Sequence, residues 1–259
     1  MATLVDIRNL TIAYGSAPPV LADFSVTLAE RSLTCIVGRS GVGKTSLLRV
    51  IAGLAPPRSG AVVMAGADGP VAAADAVHGC RPLALVFQQP RLLPWRRVID
   101  NVMFGLEGVL GHDDRLRRAQ SALTQVGLAD HAGRWPHQLS RGQCQRVNLA
   151  RALAVRPRVM LLDEPFSALD TVTRQGLQAD VLRLWRETGT AVLLVTQDIE
   201  EAVLLAERVL VLGGRPARVI RNFPVTLPYP RQRESHRFAT QVKTLRDTLA
   251  ELVADGEGI

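Results

Sequence analysis

The stretch "GRSGVGKTS", Gly38–Ser46, decides how this chain is read. It fits G-x-x-x-x-G-K-[ST], with the apolar run "LTCIV" before it and a helical pattern after it, the context the motif requires. Gly38, Gly41 and Gly43, with Arg39, Ser40 and Val42 between them, let the backbone curl. Successive N–H groups and a helix N-terminus can then surround an anion. Lys44 adds a point charge toward the outer phosphates, Thr45 closes the motif and offers a hydroxyl to Mg²⁺, and Ser46 follows it.

Outward from this loop, four apolar runs have strand character: "LTCIVG" ending at Gly38, "PLALVFQ" at Gln88, "RVMLLD" at Asp163 and "AVLLVT" at Thr196. Apolar without alternation, they fit strands covered on both faces, hence a largely parallel sheet with crossover helices. The first 34 residues read instead as an antiparallel hairpin region broken at Gly15–Pro19.

Helical stripes fall between the strands. Leu47, Leu48, Ile51 and Leu54 share one face, and Leu116, Ala119, Leu123 and Val126 another, with Asp113 or Asp114 as N-cap and Gly127 as stop. Leu177, Val181, Leu184 and Trp185 form a third stripe, closed by Gly189. From Gly213 onward Pro216, Pro224, Pro228 and Pro230 mark an extended basic stretch. A final helix then carries Phe238, Val242, Leu245, Leu249 and Leu252, expected to pack on its own domain rather than on a partner.

With 259 residues, 47% of them hydrophobic, the chain can bury a sizeable core. No apolar run approaches the roughly 20 residues that cross a bilayer, and the opening lacks a signal-peptide layout, so a cytosolic protein is expected. Cys35, Cys80 and Cys144 show no paired spacing and read as reduced packing residues. The net charge of +7 is spread along the chain and chooses no partner by itself.

The strand "VMLLD" is followed by Glu164. Asp163 is placed to hold the metal through water and Glu164 to take a proton from attacking water, which makes nucleotide hydrolysis the leading reaction class. Between the two motifs lies "LSRGQCQRVNLARAL", Leu139–Leu153. Ser140 and Gln143 make a capping box ahead of a helix that buries Val147, Ala150 and Leu153.

Loop, signature and acidic strand, in this order, resemble the ATP-binding cassette family over roughly residues 3–220. The resemblance implies a P-loop NTPase (RecA-like) α/β core with an N-terminal antiparallel β subdomain and an inserted helical subdomain, about 91–155. Residues 1–220 would form the nucleotide-binding domain and 221–259 a Pro-rich basic extension ending in the amphipathic helix. It implies that Tyr14 stacks on adenine, a hairpin tyrosine being the rival reading, and that Gln88 touches Mg²⁺ and water. "SALD", Ser167–Asp170, matches the D-loop. The cofactors implied are ATP and Mg²⁺. The implied partner is a second, identical chain, each ATP lying between one phosphate loop and the other chain's Ser140, Gly142 and Gln143.

Within the family, "FQQPRLLPWRRVIDNVMFGL" and "TQDIEEAVLLAERVLVL" are similar to importer ATPases for nitrate, sulfonate, taurine and like solutes. That subgroup implies integral membrane permease subunits, an extracytoplasmic solute-binding protein acting indirectly, no nucleic acid, and a peripheral place on the cytoplasmic face of the inner membrane. Pro94, Trp95 and Phe104 would help form the groove for a permease helix, although subdomain packing is the preferred role for Phe104.

Two positions depart from the family pattern. Arg141 replaces the first signature glycine, and Gln197 stands where the family has its switch histidine. Glutamine keeps an N–H donor but cannot become cationic. An importer ATPase is the main expectation, and the alternative is an ATP-dependent dimerising regulatory module with slow or impaired hydrolysis. Asp198 and Glu201 should cap the helix that follows.

Overall fold

A computed structural model describes residues 2–65 and 82–254, which divide into two compact units: residues 2–65 with 191–254, and residues 82–190. Cys80 lies outside the described residues, as does the side chain of Leu252.

The first unit opens with β1 (Thr3–Ile12) and β2 (Leu21–Ala29), the expected antiparallel pair. Near-alternate residues face inward, burying Ile7, Leu10 and Ile12 of β1 and Leu21, Phe24 and Leu28 of β2. In β3 (Leu33–Val37) every residue is buried. It feeds α1 (Lys44–Ile51), after which β4 (Ser59–Met64) returns to pair with β1. The third strand was not expected: "SGAVVM" is short and shows little alternation. The α1 stripe ends earlier than expected, because Gly53, at φ +69°, turns the chain and leaves Leu54 56% exposed.

The second unit holds β5 (Leu83–Val86), α2 (Val98–Phe104), α3 (His112–Gln125), α4 (Arg141–Ala154), β6 (Val159–Asp163) and α5 (Thr171–Thr188). Strands β5 and β6 are parallel, in register from Leu83 opposite Val159 to Val86 opposite Leu162. Helices α2, α3 and α4 pack on one another. The N-cap of α3 is Gly111 rather than Asp113 or Asp114. Both aspartates lie in the first turn, where their charge still suits the helix dipole. Gly189 ends α5 in a left-handed conformation, as expected, while Trp185 stays only half-buried.

The chain re-enters the first unit with β7 (Ala191–Thr196), α6 (Ile199–Leu205), β8 (Arg208–Gly213), β9 (Arg218–Pro224) and α7 (His236–Ala254). The strands run β7-β3-β8-β9, parallel except for β9, which pairs antiparallel with β8. All six residues of β7 are buried, as the unalternated apolar run requires. Phe238, Val242 and Leu245 of α7 are buried, and α7 packs on α6, so the final helix lies on its own domain.

Candidate functional site

The phosphate loop forms where β3 ends. Gly43, the N-cap of α1, has φ +100°, and a Cβ there would meet Val20 Cγ1 at 2.8 Å. Only glycine fits both demands. Helix α1 has no acidic residue in its first turn and no side-chain cap, so its leading N–H groups face the loop with the positive end of the helix dipole. Lys44 is 5% exposed, and its Nζ donates to Gly38 O (2.8 Å) and Arg39 O (2.9 Å), spanning the loop from inside. Thr45 is exposed. Tyr14, 53% exposed, donates its hydroxyl to Ser46 Oγ at 2.6 Å, which ties the hairpin to the loop.

Parallel pairing of β3 with β7 sets Val37 opposite Thr196. Gly38 and Gln197 therefore leave the sheet from neighbouring strands, at the carboxyl ends where such folds hold ligands. The turn at Gln197 is built around Thr196. Its Oγ1 donates to Glu201 Oε2 (2.7 Å) and accepts from the Asp198 N–H (3.0 Å). Asp198 caps α6 as expected, accepting from the N–H groups of Glu200 and Glu201. The Glu201 side chain is buried and accepts from the Thr196 hydroxyl. Below the turn, burial pushes the Cys35 thiol well above its usual range, and Glu201 and Asp198 push it the same way, so it stays protonated.

In the second unit, the ends of β5 and β6 bring Gln88 to Glu164. Gln88 Nε2 lies 3.4 Å from Glu164 Oε2 and donates to Ser167 Oγ at 3.1 Å, while Ser167 Oγ donates to Glu164 O at 3.0 Å. Asp163 is 5% exposed, and Glu164 has φ +43°, a strained conformation for a residue with a side chain. The sequence reading missed what holds this strand end. Along α4, Gln145 and Asn148 donate to Phe87 O (3.3 and 3.1 Å), and Arg151 donates to Pro90 O (2.8 Å). A polar stripe at i, i+3, i+6 on a helix otherwise sunk in the core was the available signal.

The same helix carries the capping box. Ser140 Oγ accepts from the Gln143 N–H (3.2 Å) and Gln143 Oε1 accepts from the Ser140 N–H (2.9 Å). Gly142 is buried, and a Cβ on it would run into the Thr173 methyl group of α5. Asp170 caps α5 by accepting from the Thr173 N–H (3.0 Å), and its hydrogen bonds with Thr173 hold its carboxyl below the ordinary range.

The model of the family described as ABC transporter matches residues 21–167, more than half of the chain. The chain belongs to the ABC transporter family. It carries the ATPase domain of that family. An aliphatic sulfonates import ATP-binding protein of Rhodopseudomonas palustris is 43% identical over 96% of this chain and 84% of its own. A taurine import ATP-binding protein of Escherichia coli O157:H7 is 45% identical over 86% of this chain and 84% of its own. The dimeric post-hydrolysis structure of an ATP-binding cassette bound to ADP and Pi is 31% identical and superposes with a TM-score of 0.74, covering 87% of this chain and all of that one.

In this cassette the signature residue Arg141 is exposed. A groove of about 480 Å³ in the second unit is lined by Gln88, Leu92, Leu139, Cys144, Pro165 and Leu169, among others. Pro94, Trp95 and Phe104 do not line it. Phe104 is 43% exposed with the Arg96 guanidinium 5.0 Å from its ring, and Trp95 is 70% exposed. At about 100° per residue, Phe104 falls outside the face of α2 that buries Val98, Asn101 and Val102. Among the described residues no group of three or more His, Cys, Asp or Glu could hold a metal by itself. The candidate donors, Thr45, Gln88 and Asp163, are hard oxygen ligands of the kind Mg²⁺ takes alongside water and substrate phosphates. No helix among the described residues is long and apolar enough to cross a membrane.

Proposed function

We propose that this cassette is the ATP-hydrolysing subunit of an importer for a small sulfonate-type solute. It works as a dimer on the cytoplasmic face of the membrane, beneath separate permease subunits. The observation that carries this reading is the near-full-length likeness to sulfonate and taurine import ATP-binding proteins.

The residues divide the chemistry as follows. Lys44 and the N–H groups of residues 39–46 bind the β- and γ-phosphates, and the ring of Tyr14 stacks on the base. Thr45, Gln88 and Asp163 hold Mg²⁺, which when bound neutralises phosphate charge. Glu164 accepts the proton of the attacking water as its oxygen bonds to the γ-phosphorus and the bond to the β–γ bridging oxygen breaks, giving ADP and phosphate. Gln197 donates an N–H to a γ-phosphate oxygen. Ser140, Gly142 and Gln143 serve the nucleotide of the second chain, where the start of α4 offers N–H donors to negative charge. Asp170 shapes the D-loop by capping α5.

Phosphate release from the complex of this chain with its permease tests the reading. Glu164→Gln should lower turnover about 100-fold or more, the range of a lost general base. Sulfonate uptake should require both the native chain and the permease. Native turnover no faster than that of Glu164→Gln would sink the proposal.

A further inference from the structure

Helix α6 starts two residues after Gln197 and is seven residues long, too short to persist without partners at its ends. Its first turn is capped by Asp198. Its other end is completed by a distant segment of the chain. The carbonyls of Val203, Leu204, Leu205 and Ala206 would otherwise lack helical partners. All four accept hydrogen bonds from two side chains of the Pro-rich extension. Arg231 Nη1 donates to Val203 O (2.6 Å), Leu204 O (3.3 Å) and Ala206 O (2.6 Å), and Tyr229 Oη donates to Leu205 O (2.6 Å). The guanidinium is itself set in place: Nε donates to Leu227 O at 3.0 Å, and the group lies 4.1 Å from the Tyr229 ring centre. A cation at this end also complements the helix dipole. Further along, Arg233 and Arg246 stand 3.6 and 3.7 Å from the Glu200 carboxylate, and the buried face of α7 attaches the extension.

We infer that Tyr229 and Arg231 are positioning residues for ATP hydrolysis: they hold α6, and through it the Thr196–Asp198 turn, so that Gln197 stays beside the phosphate loop. The inference rests on the hydrolytic reading proposed above. The two side chains hydrogen-bond the backbone at the C-terminal end of α6, so their loss should act on turnover and leave nucleotide binding intact. The apolar face of α7 anchors the extension without them. Lysine can replace the charge of Arg231 but not its fork of donors, and should restore only part of the effect.

The test uses the full chain with its permease. Phosphate release gives kcat and KM, and a fluorescent ATP analogue gives nucleotide affinity. Arg231→Met should lower kcat by about fivefold or more with KM and analogue affinity within about twofold, the signature of a loss confined to the transition state. Arg231→Lys should fall between the two. In a Gln197→Ala background the Arg231→Met effect should shrink to nothing, because both changes remove the same interaction. Tyr229→Phe, which removes one hydroxyl, carries the same cycle if Arg231→Met fails to fold. Unchanged kcat, an equal loss in the Gln197→Ala background, or a parallel loss of nucleotide affinity would each overturn the inference. A native chain that turns over no faster than Glu164→Gln would fail the hydrolytic reading itself, an outcome distinct from these.

Discussion

Two strand ends sit side by side in the first unit and are built in opposite ways. The end of β3 is local: within nine residues it supplies the glycines, the lysine, the hydroxyl and the helix start, and Lys44 is held by carbonyls five and six positions away. The end of β7 is assembled from afar. Its turn depends on Thr196 and Asp198, its helix is completed by Arg231 and Tyr229, and its catalytic candidate is an amide instead of the imidazole usual in the family. A local site tolerates change elsewhere in the chain, whereas a distributed one transmits it.

Removing Lys44 should break the local end most severely. Lys44→Ala is expected to cut phosphate release about 100-fold or more, as when a preorganised charge-stabilising donor is lost, and to weaken nucleotide binding in the same preparation. Restoring the family residue at the distributed end should have a smaller and opposite effect. Gln197→His is expected to raise turnover severalfold and to add a titration near about pH 6.5 that the native rate profile lacks. A rate profile unaltered in both height and shape would mean that position 197 does not face the reacting phosphate.

Thr196→Val should take one hydrogen bond from the buried Glu201 carboxylate and the Thr196 hydroxyl acceptor from the Asp198 N–H. Urea unfolding should then show a loss of about 1–3 kcal/mol, while the corresponding exposed change Thr45→Val should leave stability nearly untouched. The smallest effect is chemical. Cys35 is fully buried with its thiol held protonated, so maleimide should label the half-exposed Cys144 in the folded protein and reach Cys35 only after unfolding.

The phosphate loop, the Ser140–Gln143 box, the buried β7 and the stripe of α7 were legible because each is a short-range pattern: periodicity, a cap at fixed spacing, a glycine-rich turn. What escaped the reading depends on distant residues. Strand β4 is recognisable only beside β1, and the hold of Gln145, Asn148 and Arg151 on the β5 exit joins positions about 60 apart in sequence. Subdomain packing is the role preferred for Phe104 from the sequence, yet it stands half open beneath Arg96. Gly142 was read for its nearness to phosphate, and in the folded chain it also has a packing reason, the methyl group of Thr173.

By itself the sequence determined the class of fold and the inventory of chemistry, because backbone curl, helix caps and apolar period are written in neighbouring residues. Only the tertiary structure decided which side chains support that chemistry. A carbonyl at the end of a short helix accepts any donor that the folded chain brings within reach, and nothing in the spacing from Val203 to Arg231 announces that they meet.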